Sequence, residues 1–122
     1  MESVLKRVKI GPQSETITNE SGGKQSDLGV RLDLVPPRAL LAEAQVLKAG
    51  ADKYGVGNWK YIKIDDHLNH ALAHIYAFLM GDRSEHHIAN LACRAHFALE
   101  ILEEELEKYE SKYRSGIEEK KI

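Results

Sequence analysis

The sequence predicts an all-α protein, a small bundle of three main helices preceded by an irregular N-terminal arm. Beyond the Pro-Pro pair at 36–37, apolar residues recur at helical spacing in three segments that glycine-containing turns separate. Residues 1–21, in contrast, show no sustained period. The 122 residues suffice for one domain with a core but not for two. We therefore expect an arm over 1–21, a helical domain over 22–114 and a flexible tail over 115–122.

The charge balance narrows the classes of function. The formal net charge is −2, with 17 basic and 19 acidic side chains, which argues against a protein that coats duplex nucleic acid with a basic face. No apolar run approaches the roughly 20 residues of a membrane span, and no signal peptide opens the chain. The single cysteine, Cys93, permits no internal disulfide. Together, these observations lead us to expect a cytoplasmic protein without membrane association.

The arm continues into a polar segment with little regular structure. "VLKRVKI" is read as a short strand or an arm, and residues 11–23 are read as loop. The segment "GGKQSDLGVRLDLVPP" then carries Lys24, Gln25, Arg31 and Asp33. Two interpretations of Asp33 stay open: it pairs with an arginine, Arg31 or Arg38, or it contacts a ligand.

The first helix begins at the Pro-Pro pair. Proline is tolerated in the first turn of a helix, where its missing N–H has no intrahelical partner. "PRALLAEAQVLKAGADKYG" has apolar side chains at helical spacing, namely Leu40, Leu41, Ala44 and Leu47. The helix ends near "KYGVG", where glycines supply the C-terminal conformation. "VGNWKYIK" follows as a connector with aromatic anchors.

The second helix is predicted from about Asp66 to Met80. Asp65 or Asp66 can cap its N-terminus, and Gly81 ends it. The third helix begins after "GDRS", with Ser84 as its N-cap, and continues to about Tyr113. Three helices of this length make a small core, and we expect oligomerisation to complete it.

A stripe of polar side chains runs beside the apolar seam of the second and third helices. At about 100° per residue, the second helix has a seam of Leu68, Ala71, Leu72, Ile75 and Leu79, and the third a seam of Ile88, Leu91, Ala92, Ala95, Leu99, Leu102 and Leu106. His67, His70 and His74 lie beside the first seam at the same angles at which His87, Asn90 and Arg94 lie beside the second. If the two stripes converge, they form a polar pocket.

The alternative is that these histidines face solvent or form individual hydrogen bonds. His70 and His74 have the i, i+4 spacing that binds a transition metal through neutral imidazoles. Carboxylates that could join them are few, namely Asp82, Glu85 and Glu43, whereas Mg²⁺ requires several oxygen ligands. His86 and His96 lie off both stripes and are read as surface or packing residues.

An ordered series of motifs resembles a known family. "GGKQSDLGVRLDLVPPRAL", "GADKYGVGNW", "HALAH", "GD" and "HIANLAC" follow one another over about residues 20–102 and resemble the phage and prophage dATP/dGTP diphosphohydrolase N-terminal domain. That family looks related to the MazG-like all-α nucleotide pyrophosphatases. Those enzymes use carboxylates on helices and Mg²⁺ to split a nucleoside triphosphate into monophosphate and pyrophosphate.

The resemblance implies a role for each matching residue. Lys24 and Arg31 would contact phosphates and Gln25 the base or sugar. The nucleotide pocket would be lined by Lys53, Tyr54, Asn58 and Trp59. The catalytic or metal-associated groups would be His74, Asp82, Glu85 and His87.

The residue chemistry agrees with nucleotide binding. Lysine and arginine neutralise phosphate, and Trp59 or a neighbouring tyrosine can stack on a base. Trp59 can equally be an aromatic anchor to the core. The polar stripes add His70, Asn90 and Arg94 to the predicted substrate-binding residues.

Two functions from different classes follow. The first is hydrolysis of a purine (deoxy)nucleoside triphosphate with Mg²⁺ or Mn²⁺ as cofactor. The second is a non-catalytic nucleotide sponge without a cofactor, which would serve phage anti-defence by sequestering an immune signal such as a cyclic dinucleotide or an ADP-ribose derivative. Asn90 stands where the family suggests histidine, and "HALAH" replaces the paired glutamates of the wider superfamily, departures that bear on the metal-dependent step more than on nucleotide binding. We expect hydrolysis, with the sponge as the alternative. Either protein would be a homo-oligomer in the cytoplasm, that of the bacterial host if phage-encoded.

Overall fold

A computed structural model describes the backbone of residues 1–10 and 14–116 and the side chains of residues 1–10 and 14–110. The chain forms two compact units, Met1–Val35 and Pro36–Ile122. Most of the predicted tail, residues 117–122, lies outside the described residues. Among the described residues, no helix combines the length and the apolarity that crossing a membrane requires.

The N-terminal unit contains a hairpin that the sequence reading assigned to loop. Strands β1 (Thr16–Thr18) and β2 (Lys24–Ser26) pair antiparallel, with Ile17 opposite Gln25. β-branched residues favour β1. Asn19 closes the turn, because its Oδ1 accepts hydrogen bonds from the backbone N–H groups of Ser21 and Gly23. The loop prediction is therefore wrong for these strands, and residues 11–13 lie outside the described ones.

Short 3₁₀ turns complete this unit. "VLKRVKI" holds the turn Leu5–Arg7 instead of a strand, and a second turn spans Leu32–Leu34. Beside the second turn, Arg31 donates from Nε and Nη2 to the two carboxylate oxygens of Asp33, at 2.8 and 2.7 Å. Of the two open interpretations of Asp33, the structure contains the pairing with Arg31.

The second unit confirms the small all-α bundle. It consists of α1 (Pro37–Tyr54), a 3₁₀ turn (Asn58–Tyr61), α2 (Ile64–Leu79) and α3 (His87–Gly116). α3 packs along α2 and also against α1. Pro37 opens α1 as predicted, and Gly55 ends it with a positive φ of 96°.

The predicted caps of α2 and α3 are wrong. α2 starts two residues earlier than predicted, at Ile64, so Asp65 and Asp66 lie in its first turn, where their charge favours the helix dipole without capping it. α3 begins three residues after Ser84. His86 caps it instead, since its Nδ1 accepts a hydrogen bond from the N–H of Ala89 at 3.1 Å.

The buried faces of the helices match the predicted seams only in part, since Ala71 of the α2 seam is buried but three of its leucines are not. On α2, the buried residues are His67 and Ala71, whereas Leu68, Leu72 and Leu79 of the predicted seam are 45%, 49% and 73% exposed. On α3, Ile88 and Leu99 are 44% and 52% exposed. In the described part of the chain, the buried apolar residues are all small: Ala71, Ala89, Cys93 and Ala98. Small and polar side chains therefore form the most deeply buried contacts within the unit. The large apolar side chains of the helices that stay exposed, such as Leu41, Leu72 and Leu99, are called the leucine stripes.

Candidate functional site

The turn between α2 and α3 brings Asp82 to the polar stripes. Gly81 has φ 93°, and its N–H donates to the Phe78 carbonyl while the N–H of Asp82 donates to the Ala77 carbonyl, both at 3.0 Å. This pair of bonds is the Schellman motif, which needs a left-handed residue at the position of Gly81. The motif reverses the chain within one residue of the carboxylate.

The side chain of Arg83 stabilises this turn. Its Nη1 donates to the carbonyls of Phe78 and Asp82, each at 2.9 Å, and its guanidinium lies 3.8 Å from the centre of the Phe78 ring. One arginine thus holds the end of α2 and the backbone of the turn together through hydrogen bonds and a cation–π contact.

The two polar stripes meet at His74 and His87. The Nδ1 atoms of these residues lie 2.9 Å apart, and their rings are 5.2 Å apart between centroids. The other ring nitrogen of His87, Nε2, donates to Oδ2 of Asp82, which also accepts from the hydroxyl of Ser84 at 2.8 Å. His87 is buried, so a hydrogen-bonded row runs from His74 through a buried imidazole to an exposed carboxylate.

The row determines the tautomers when both rings are neutral. His87 carries its hydrogen on Nε2, where the Asp82 carboxylate accepts it, and its Nδ1 therefore has a lone pair. Only a hydrogen on Nδ1 of His74 can fill the 2.9 Å contact. The Nε2 atom of His74 is then left as the basic atom of the row.

Glu85 flanks the row. Its Oε1 lies 3.9 Å from Nδ1 of His74 and accepts a hydrogen bond from Nδ2 of Asn90 at 3.4 Å. Asn90 also donates to the carbonyl of His86, which fixes the amide against the start of α3. Ligand atoms of His74, Glu85 and His87 all lie within 4.8 Å of one another. We call these three residues the His-Glu cluster.

The charges around the cluster are mixed. Burial lowers the pKa of His74, and the field of Arg94 lowers it further, while Glu85 opposes both effects. The hydrogen bond from His87 holds the pKa of Asp82 below its usual value, with a further contribution from Ser84. Asp82 is therefore a carboxylate at neutral pH.

Two cations lie within electrostatic reach of the cluster. Arg94 acts on His74, and Glu85 raises the pKa of Lys53, although the main cause of that shift is a hydrogen bond between Lys53 and Tyr54. The Nζ of Lys53 also lies 5.0 Å from the centre of the Tyr54 ring. A negatively charged ligand at the cluster would thus find a cation on α1 and another on α3.

A second row runs beside the first. Arg94 donates from Nη1 to Nδ1 of His67 at 3.2 Å, and Nε2 of His67 donates to the carbonyl of Trp59 at 3.0 Å. The indole of Trp59 stacks on Phe97, with centroids 5.1 Å apart and planes 3° from parallel. Trp59 therefore anchors the connector to the helices, the structural alternative left open for it, and one of its two faces is occupied.

The remaining predicted site residues divide between the two units. In the helical unit, His70 is exposed on α2 and Asn58 is half-buried in the 3₁₀ turn. In the N-terminal unit, Lys24 and Gln25 are exposed on β2, and Arg31 is held by Asp33. The binding roles of all these residues stay predictions.

Three residues near the cluster were missed by sequence reasoning. Arg83 and Ser84 support Asp82, and His86 caps α3 instead of being a plain surface residue. The glycine at 81 was a usable signal, since a Schellman turn fixes the residues that follow it. Glu43, in contrast, was considered as a ligand but binds His96 on the α1–α3 contact.

The cluster fits Mg²⁺ poorly. Mg²⁺ prefers an octahedron of oxygen ligands and is usually bound through carboxylates and waters. In the described residues, the candidate ligand set offers two imidazole nitrogens and one carboxylate. That set is typical of first-row transition ions, among which Mn²⁺ has the weakest general affinity.

An open groove of about 400 Å³ lies elsewhere, along the 3₁₀ turn, the start of α2 and the middle of α3. It is lined by Lys60, Tyr61, Ile62, Lys63, Ile64, Asp65, Ile101 and Glu105. None of these belongs to the His-Glu cluster.

Comparison with known proteins gives one result. A family model described as "dATP/dGTP diphosphohydrolase, N-terminal" matches residues 19–111. Neither the curated proteins nor the solved structures contain a match. The matched range includes β2, the three helices up to residue 111 and every residue of the cluster.

Proposed function

The chain belongs to the dATP/dGTP diphosphohydrolase N-terminal family, and from this premise we propose that it binds a purine (deoxy)nucleoside triphosphate and hydrolyses it to monophosphate and pyrophosphate. The observation that carries the proposal is the row of His74, His87 and Asp82 beside Glu85. A row of this kind can accept a proton from water at one end and stabilise the resulting charge at the other.

Phosphate binding is assigned to the cations near the cluster. Arg94 and Lys53 would neutralise the triphosphate, since phosphoryl transfer depends mainly on positioning and charge neutralisation. The amide of Asn90 and the exposed imidazole of His70 would supply hydrogen bonds to the sugar or phosphates. Asn58 and Tyr54 would border the base. Trp59 would contribute little as a stacking surface, because Phe97 stacks on its ring and Nζ of Lys60 lies 5.8 Å from the ring centre.

The chemical step would use His74 as general base. Water attacks the α-phosphorus, its proton passes to Nε2 of His74, and the bond from that phosphorus to the α–β bridging oxygen breaks. The bridging oxygen leaves with pyrophosphate. The imidazolium formed on His74 lies near Glu85 and donates to His87, which donates in turn to Asp82. Because Mg²⁺ matches the cluster poorly, no step is assigned to it.

The scarcity of carboxylates favours a second candidate, the sponge that binds a nucleotide-derived signal without cleaving it. The same cations and stacking surfaces would serve both functions. The two differ only in whether the ligand is recovered intact.

One experiment separates these functions. Purified protein is incubated with each (d)NTP, with cyclic dinucleotides and with ADP-ribose, in the presence of Mg²⁺, Mn²⁺ or EDTA. Calorimetry measures binding of each ligand, and mass spectrometry identifies the nucleotides over time. Hydrolysis predicts monophosphate and pyrophosphate in equal amounts, lost in His74→Gln and kept in His96→Gln, since His96 contacts Glu43 and not the cluster. Binding with every ligand recovered intact would reject hydrolysis and leave the sponge. No binding of any nucleotide would reject both.

We further propose that a second copy of this chain covers the leucine stripes. All three helices leave large apolar side chains at helical spacing exposed, among them Leu41, Leu72 and Leu99 at 69%, 49% and 52%. Burying one such side chain contributes about 1.5–3 kcal/mol, and the described residues contain no buried leucine or isoleucine. A symmetric dimer would place identical stripes against one another and give each copy its missing core.

The oligomer is tested by light scattering coupled to gel filtration. Wild type is expected at a multiple of 13.7 kDa, and Leu72→Glu is expected to shift toward the monomer with loss of stability. A matched change at an exposed polar position of the same helix, Asn69→Glu, should leave the mass unchanged. A monomeric wild type would reject the proposal.

We also propose a cytoplasmic location, because both proposed functions act on the nucleotide pool of the cytoplasm.

A further inference from the structure

We infer that the His-Glu cluster is a binding site for a first-row transition ion of the Zn²⁺ or Co²⁺ type and that Asp82 orients one of its ligands instead of binding the ion. This inference concerns the same residues as the proposed function but does not depend on hydrolysis, because metal binding is measured without substrate.

The first argument is the convergence of two imidazoles without a hydrophobic reason for it. His74 and His87 come from different helices and present the same atom, Nδ1, to one another at 2.9 Å. Two lone pairs at that distance repel unless a proton or a cation lies between them. The third ligand atom, Oε1 of Glu85, adds a negative charge on the same side, 3.9 Å from Nδ1 of His74.

The second argument is the support of His87. Metal-binding histidines almost always donate their other ring N–H to a carboxylate or carbonyl, which fixes the tautomer and raises the basicity of the ligand nitrogen. His87 does this through Nε2 to Asp82, and Ser84 in turn donates to the same oxygen of Asp82. The nitrogen left free for the ion is Nδ1, the atom that faces His74.

The third argument is the chemical character of the ligands. Two imidazoles and one carboxylate form the ligand set of many zinc and non-haem iron sites, which keep open positions for water or substrate. Binding would displace the single ring hydrogen of neutral His74 from Nδ1, where the two Nδ1 atoms share it, to Nε2 of the same ring. A metal-filled cluster could not use His74 as a base, so the metal-free and metal-filled forms have different chemistry.

The test is metal affinity, measured by calorimetry and by the visible spectrum of Co²⁺. The expected order is Zn²⁺ tighter than Co²⁺, Co²⁺ tighter than Mn²⁺, and Mg²⁺ the weakest. His74→Gln, Glu85→Gln and His87→Gln should each lose at least about tenfold in affinity, and Asp82→Ala about 10- to 100-fold. His96→Gln is the matched histidine control, expected within about twofold of wild type in the scatter of such measurements.

A second measurement covers variants that fail to fold. Substoichiometric Co²⁺ added to wild-type protein should broaden the imidazole NMR signals of His74 and His87 and spare those of His96. Equal affinities for Mg²⁺ and Zn²⁺, or broadening centred on His96, would overturn the inference. Hydrolysis that requires only Mg²⁺, with no Zn²⁺ bound, would overturn it while leaving the proposed function intact. A bound transition ion with no turnover under any condition would support the inference and reject the proposed hydrolysis.

Discussion

Nδ1 of His74 and Nδ1 of His87 lie 2.9 Å apart, although the residues are thirteen positions apart and belong to different helices. The contact depends on the α2–α3 turn, where Gly81 ends α2 and His86 caps α3. The same turn carries Asp82, so one short segment determines the distance between the rings and the carboxylate that orients one of them.

Under the proposed hydrolysis, Asp82→Asn should reduce turnover by about 10²–10⁴-fold, because an asparagine amide can donate to Nε2 of His87 and impose the wrong tautomer. His87 would then carry its hydrogen on Nδ1, facing the hydrogen of His74. Steady-state kinetics should show a fall in kcat with KM nearly unchanged, and NMR should show the tautomer change at His87. A variant with normal kcat and a raised KM would contradict the role assigned to Asp82.

Gly81→Ala should destabilise the protein by about 1–2 kcal/mol, the usual cost of a left-handed conformation for a residue with a Cβ. No atom beyond the two neighbouring residues lies within 4 Å of an added Cβ, so the effect isolates backbone strain. The matched control is Gly50→Ala inside α1, where space is also open and φ is not positive; it should stabilise by about 0.5–1 kcal/mol. Urea unfolding measures both, and equal effects of the two substitutions would exclude the strain argument.

The thiol of Cys93 should react slowly at pH 8. Burial, with a smaller contribution from Glu43, raises its pKa from 9.0 to about 11, so the folded protein has about a hundredth of the normal thiolate. Labelling should accelerate about tenfold per pH unit between pH 8 and 10 and become fast in urea. Rapid labelling of the folded protein at pH 8 would show that the thiol is accessible and ionised.

The raised pKa of Cys93 also makes the free energy of unfolding fall as the pH rises. Because the folded pKa is raised, the unfolded state ionises first, and stability that is fully present below pH 9 is lost as the pH rises toward 11. Comparison with Cys93→Ala isolates the thiol from other groups that titrate there. The wild type should lose of order 2 kcal/mol more than the variant over this range. Parallel pH profiles would refute the prediction.

Lys24→Ala and Arg31→Ala should lower nucleotide affinity while the helices stay intact, if these side chains contact phosphate as the family resemblance implies. Asp33 holds Arg31 in a two-bond pair and therefore competes with phosphate for the guanidinium. Asp33→Ala should accordingly raise the affinity, whereas Glu20→Ala, a change of an exposed acidic residue outside the pair, should change it little. Fluorescence or calorimetric titration measures the four variants, and unchanged affinity in both cation variants would make the segment a linker.

Sequence patterns determined the helices of this protein. The Pro-Pro pair, the apolar spacing and the glycines after α1 and α2 place the three helices close to their observed bounds, because these signals act within a few residues of the chain. The equal angular positions of the two polar stripes also followed from the sequence alone, as did the possibility that Arg31 pairs with Asp33.

Only the tertiary structure decided which face of each helix points inward. Periodicity gives the angle of a stripe around its helix axis but not the neighbour that it meets, and leucine seams were the natural choice for the core. In the folded chain, His67 and His74 contact Arg94 and His87 of α3, while Leu72 and Leu99 stay exposed. Polar side chains are normally excluded from the interior of a protein. The buried histidines between α2 and α3 are tolerated because each imidazole has a hydrogen-bond partner.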